Sequence, residues 1–147
     1  MDGAKELSEG LQFVPVNAVT GTPGTVEVKP FSTICTSSDL CFGDGRFSAS
    51  LTAKDPRSGN EGSGLPIPQT NLFGYFSLPD LTGNADNPEV FVKVLDGRDL
   101  NGKYWVFYGG LTDLEFTLTI IDNQTGVTRT YDKSPFTFCG GADTSAF

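Results

Sequence analysis

The side chains able to do chemistry in this chain are cysteines, carboxylates and aromatic rings; histidine is absent. Histidine titrates nearest neutrality and is the commonest metal ligand. Its absence excludes Ser-His-Asp and Cys-His catalysis, HExxH zinc sites and imidazole proton relays. Cys35 and Cys41 bracket TSSDL, and Cys139 stands near the end in FCGGADTSAF. Three sulfurs at these spacings do not complete a four-ligand zinc site, and no imidazole is present to activate a catalytic thiol. A disulfide is the leading reading, which implies an oxidising compartment. A local Cys35–Cys41 bond would stabilise by about 2.4 kcal/mol on the chain-entropy model, and a long bond to Cys139 by about 4.7. Proximity favours Cys35–Cys41, with Cys139 as an alternative partner, a buried thiol or an intermolecular link.

The carboxylates have two readings. Asp96, Asp99 and Asn101 in LDGRDLNGK form a loose DxxDxN pattern, and Asp80, Asn84, Asp86 and Asn87 crowd PDLTGNADNP. Calcium takes six to eight oxygens, and the EF-hand order that supplies them is missing. Asp and Asn beside Gly are also ordinary turn residues. Turn chemistry comes first and calcium second; no other cofactor is indicated. Glycosidase chemistry needs paired carboxylates, and no pair here stands in a context that positions it. The expectation is a non-enzyme. The sequon at Asn123 sits in a tight turn and matters only in a glycosylating host.

Among the aromatics, Tyr104, Trp105, Phe107 and Tyr108 are candidates for a platform that takes sugar rings or an apolar partner. Packing between two sheets is the competing role. Strand alternation puts Tyr104, Val106 and Tyr108 on one face and Trp105 and Phe107 on the other, so one set is core and the other is the candidate surface.

These residues sit in a β pattern. Arg46–Lys54 alternates, with Phe47, Ala49, Leu51 and Ala53 on one face. Asn71–Leu78 is an aromatic strand with Gly74 at a bulge or a close approach. Glu89–Leu95 places Val90, Val92 and Val94 together. Lys103–Tyr108 is apolar on both faces, as in a central or covered strand. Leu114–Ile121 turns Leu114, Phe116, Leu118 and Ile120 inward, and a turn at Asp122–Gly126 returns Val127–Tyr131 as a hairpin. Residues 55–66 and the stretch PDLTGNADNP read as polar loops. Helix is favoured only over Met1–Gln12, as a short turn at most near the N-terminus. The expected fold is all-β, an antiparallel sandwich of about 7–9 strands at residues 35–147.

Residues 1–34 read as edge strands or an extended arm, because Pro15, Pro23 and Pro30 cannot donate to a central ladder. Phe13, Val14, Val16, Val26 and Val28 are the apolar positions that could add to a neighbour's sheet. The 147 residues carry a formal charge of −8, which disfavours nucleic acid and anionic membrane surfaces. No apolar run reaches the roughly 18 residues that cross a bilayer, and the start lacks a signal-peptide pattern. A secreted protein of this sequence would be a mature form or a piece of a longer precursor.

The combination of C-x5-C, GRF at Gly45–Phe47, DPRSG at Asp55–Gly59 and GYF at Gly74–Phe76 continues with VFVKVLDGRDLNGKYWVFYGGLTDLEFTLTI from Val90 to Ile120. It ends with Thr125–Gly126 and GADTSAF at Gly141–Phe147. Over residues 35–147 this resembles an uncharacterised β-rich accessory domain of secreted bacterial proteins, often found beside proteases or other extracellular modules. The resemblance implies an extracellular or cell-surface location, a sandwich-like fold and an accessory role. Cys139 departs from it.

Taken together, the expectation is a secreted, non-enzymatic module for binding or extracellular assembly. Its partner would be a protein or copies of itself, with carbohydrate as a further candidate. One alternative is a filament or surface-appendage subunit joined by strand donation from the N-terminal arm. Another is a protease-inhibitor-like module using the 55–66 loop.

Overall fold

The structure, a computed structural model, describes residues 34–147. The expected arm and its residues Phe13, Val14, Val16, Val26 and Val28 lie outside the described residues. The described residues form one compact unit. It is an antiparallel sandwich of two five-stranded sheets.

The first sheet grows from the clearest alternation in the sequence. Strand β2 (Phe47–Lys54) buries Phe47, Ala49, Leu51 and Ala53. It pairs along its whole length with β8 (Glu115–Asp122), setting Leu51 opposite Leu118 and Ala49 opposite Ile120. The side chains of β8 alternate too, so both strands present one apolar face inward. β9 (Thr128–Lys133) returns from the Asp122–Gly126 turn and lies outside β8. On the other side of β2 lie β1 (Leu40–Phe42) and β3 (Glu61–Ser63).

The second sheet has β4 (Leu65–Pro68), β5 (Phe73–Ser77), β6 (Val90–Gly97), β7 (Lys103–Gly110) and β10 (Gly140–Asp143), in the order β10-β7-β6-β5-β4. β6 and β7 pair from Val90–Gly110 to Gly97–Lys103. Short helical turns, α1 (Pro79–Thr82) and α2 (Arg98–Asn101), link β5 to β6 and β6 to β7. Among the described residues, no helix is long and apolar enough to cross a membrane.

Between the sheets lie Phe42, Phe47, Phe76, Phe116, Leu118, Ile120 and the three valines of β6, all buried. Each such side chain contributes about 1.5–3 kcal/mol. Polar links tie the two sheets together at one end. Arg46 donates from Nε and Nη2 to Asp122 at 3.1 and 2.9 Å and from Nη1 to the Tyr104 hydroxyl at 3.2 Å. Burial pushes the Asp122 carboxyl up, but the Arg46 guanidinium and the Gln124 amide outweigh it and hold it below the usual carboxylate range. Tyr131 donates to Asp143 at 2.8 Å, and Phe147 packs its ring 5.1 Å from Phe47. The Cys35–Cys41 disulfide, with a Cα separation of 5.8 Å, closes the loop leading into β1.

Several sequence-based expectations need correction. The 55–66 stretch is not one long loop. Asp55 accepts from the Arg57 amide and the Ser58 hydroxyl, and its own amide donates to the Asn60 carbonyl, which tightens the turn. The chain can then pair at once as β3 and β4. Ten strands therefore replace the expected seven to nine, β10 among them. Helical turns stand at residues 79–82 and 98–101, in stretches assigned to loops, while the turn expected over Met1–Gln12 lies outside the described residues. Pro79 opens the first, and a left-handed Gly83 and Gly102 close them. Gly74 marks a close approach and no bulge: the register runs through it, and a Cβ there would meet Leu40 Cδ2 at 2.8 Å.

Candidate functional site

The register of the second sheet gathers large side chains on its outer face. One row across the strands reads Ile67, Tyr75, Phe91 and Gly109; the next reads Phe73, Lys93 and Phe107; a third holds Leu95 and Trp105. Residues directly opposite on neighbouring strands share a face, so stretches far apart in sequence become one surface. Phe73 and Phe91 lie parallel with centroids 5.9 Å apart, Tyr75 leans on Phe91 at 5.5 Å, and Trp105 meets Phe107 edge-on at 6.4 Å. The Lys93 ammonium sits 5.3 Å over the Phe107 ring.

Trp105 is held in place. A Cβ on Gly97 would fall 2.1 Å from its ring, so only glycine lets the indole lie there. Its Nε1 donates to Asn101 Oδ1 at 2.9 Å, while the Asn101 amide donates to the Thr144 carbonyl at 2.7 Å. At Gly109 the surface opens, with nothing within 4 Å of an added Cβ. A hollow of about 260 Å³ lies there, lined by Phe73, Phe91, Val92, Lys93, Phe107, Tyr108 and Gly109. The outward positions of β4 to β7 include Lys93 and Lys103 and no carboxylate, although acids outnumber bases by eighteen to ten in the chain.

The four aromatics singled out in the sequence do not form one platform. Tyr104 and Tyr108 turn inward: Tyr104 packs edge-on to Phe47 at 4.8 Å, with the Arg46 and Arg98 guanidinium groups over its ring. Tyr108 lies 5.2 Å from Tyr131 and 6.4 Å from Phe116. Trp105 and Phe107 are the outward pair, joined by Phe73, Tyr75, Phe91, Lys93 and Leu95. A signal for these was present: the residues between the inward valines of β6 are themselves large.

The acids considered for calcium serve turns. Asp96 accepts from Arg98 Nε and Nη2 at 2.8 and 2.7 Å and from the Arg98 amide; these bonds bring its pKa down to about 2. Asp99 lies in α2 and Asp80 in α1, while the Asp86 amide donates to Asn84 Oδ1 at 2.9 Å. Among the described residues, no three acidic, cysteine or histidine side chains converge as metal ligands. Cys139 is free and exposed, which overturns the buried-thiol alternative.

A second concave region lies where the β7–β8 connection meets α1. It measures about 450 Å³ and is lined by Asp55, Arg57, Leu81, Thr82, Glu89, Leu111, Thr112, Asp113, Leu114 and Phe138. Arg57 bridges Asp55 and Asp113. Glu89 is buried and accepts from the Asn87 amide at 2.5 Å. Burial raises the Glu89 pKa above the ordinary value. The Thr112 hydroxyl also hydrogen-bonds this carboxyl.

Compared with known proteins, the chain matches no family model, no curated protein and no solved structure.

Proposed function

We propose that this chain is a secreted, non-enzymatic binding module that docks a protein partner across the aromatic outer face of its second sheet. One observation carries this reading: Phe73, Tyr75, Phe91, Trp105 and Phe107 gather around Lys93 on a face without carboxylates. Rigid aromatic rings are the usual anchors of protein interfaces, and these five are half-buried, each keeping part of its surface open on the sheet face. The lysine within the patch suits a partner that carries acidic groups among its apolar ones. The Cys35–Cys41 disulfide supports an oxidising compartment.

A protein partner fits better than carbohydrate. Sugars demand many hydrogen bonds, and this face offers the Lys93 and Lys103 ammonium groups, the Tyr75 hydroxyl and little else, since its backbone groups are paired within the sheet. Strand donation is less well supported, because the sheet edges are blunted. β4 carries Pro66 and Pro68, β1 and β10 have three and four residues, and β9 turns Arg129 and a buried Lys133 inward. The inhibitor reading loses its extended loop to β3 and to the Arg57–Asp113 bridge.

The test uses anilinonaphthalene sulfonate, a probe that pairs an aromatic body with an anion. Trp105 is the sole tryptophan, so its emission reports binding at this face. Wild type should bind the probe in its folded state and transfer energy from Trp105, and Lys93→Glu should weaken binding by about tenfold or more. Equal binding by both proteins would overturn the reading.

A further inference from the structure

The loop between β9 and β10 displays aromatic rings that the sandwich does not need. Phe136 and Phe138 are 61% and 71% exposed, and Leu111 beside them is 65% exposed. The loop is nonetheless rigidly built. Lys133, only 2% exposed, donates its ammonium to the carbonyls of Ser134 and Thr137 at 3.1 and 2.6 Å. Thr137 Oγ1 donates to the Ser134 carbonyl at 2.6 Å, and the Phe136 amide to the Asp113 carbonyl at 2.7 Å. Phe136 adopts a φ of 59°, a left-handed conformation that is costly for a bulky side chain. A buried charge and a strained backbone thus hold two phenyl rings out in solvent. Preorganised aromatic anchors of this sort lower the entropic cost of binding.

The rim of this knob carries two carboxylates against one guanidinium, so its net charge is negative. Asp113 and Asp55 flank it, with Arg57 between them and 5.2 Å over the Phe136 ring. The outer face of the second sheet has the opposite character: aromatic, open at Gly109, cationic at Lys93 and Lys103. The two surfaces are complementary in shape class and in charge, and they belong to one chain. The exposure of Phe136 and Phe138 shows that a chain does not place its knob on its own face.

We infer that the partner docking on the aromatic face is a second copy of this chain, whose Phe136–Phe138 knob enters the hollow between Phe91, Phe107 and Gly109. This rests on the face being a binding surface, as proposed above. Asp113 of the incoming copy approaches Lys93 of the receiving one. The contact joins two different patches: made twice across a two-fold axis it closes as a reciprocal pair, and made head-to-tail it continues as a ring or an open chain.

Sedimentation velocity of the full chain, from micromolar to sub-millimolar concentration, tests the inference with two exposed-site variants. Lys93→Glu spoils the face and keeps the knob; Phe138→Ser spoils the knob and keeps the face. Wild type should associate as concentration rises, and each variant alone should associate at least roughly tenfold more weakly. An equimolar mixture of the two should recover a one-to-one pair, because each supplies the surface the other lacks. A wild type that stays monomeric while still binding the sulfonate probe would overturn self-docking and leave the face reading standing; failure of both would sink both. Association that survives in either variant, or a mixture that recovers nothing, would also overturn the inference. Circular dichroism of each variant separates a spoiled surface from a spoiled fold.

Discussion

The two sheets turn different chemistry to solvent. The first shows Ser50, Thr52, Thr117, Thr119, Thr128 and Thr130 on its outer side; the second shows Phe73, Tyr75, Phe91, Trp105 and Phe107. Both sides face out from the same core, and both need residues that favour an extended backbone. Threonine meets that need as a β-branched residue while keeping the surface wet. The first sheet therefore shows what this fold requires of an outer face, and the aromatic rings of the second exceed it. Half-buried indole and phenyl groups that still meet solvent invite association. Where a polar solution is at work on the opposite side of the same core, the apolar one points to use.

The largest test of this contrast removes what the two faces share. Asp122→Ala strands the partly exposed Arg46 guanidinium at the joint between the sheets and should cost about 1–3 kcal/mol. A urea midpoint would fall accordingly, and probe binding at the aromatic face would weaken with it. A change under about 1 kcal/mol would mean that the sheets hold together without this link.

A smaller effect should separate the faces. Phe107→Ser should weaken binding of the sulfonate probe by roughly tenfold or more while moving stability by about 1 kcal/mol or less. Thr119→Ser on the opposite sheet should change neither beyond about 0.5 kcal/mol. If both substitutions alter probe binding alike, the contrast between the faces has no functional content.

The smallest effect concerns pH. Asp122 has a lowered pKa in the folded chain, so its contribution to stability is present above the unfolded carboxylate range and fades as pH falls through the folded value. Glu89 is raised by burial, so its contribution is full below its unfolded value and is lost as pH rises through its folded value. Thermal melts of Glu89→Gln should match wild type in acid and gain on it toward neutrality. A constant difference at every pH would show that folding does not raise the Glu89 pKa.

Much of this architecture is legible in the sequence. The alternation in β2, β6 and β8 and the Asp122–Gly126 turn mark the strands that carry the core, because burial on one face writes a period of two into them. The short spacing of Cys35 and Cys41 points to the disulfide that the structure contains. β3, β4 and β10 are harder: Glu-Gly-Ser, Leu-Pro-Ile-Pro and Gly-Gly-Ala-Asp have little strand propensity, and their pairing partners define them. Half of the candidate site was visible in Trp105 and Phe107. Phe91 stands as a large residue between the inward valines of β6, whereas Phe73 and Tyr75 join the site only through register between strands, which no single stretch of sequence displays. The Phe136–Phe138 knob depends on Lys133, whose inward turn becomes apparent only once Phe116 lies opposite it.

The most direct test of the account is an amide chemical-shift map of the isotopically labelled chain titrated with anilinonaphthalene sulfonate. The account predicts perturbations centred on Phe91, Lys93, Phe107 and Gly109 and silence at Ser50, Thr119 and Thr130. Perturbations centred on the hydroxyl face, or confined to the Glu89–Asp113 hollow, would contradict it.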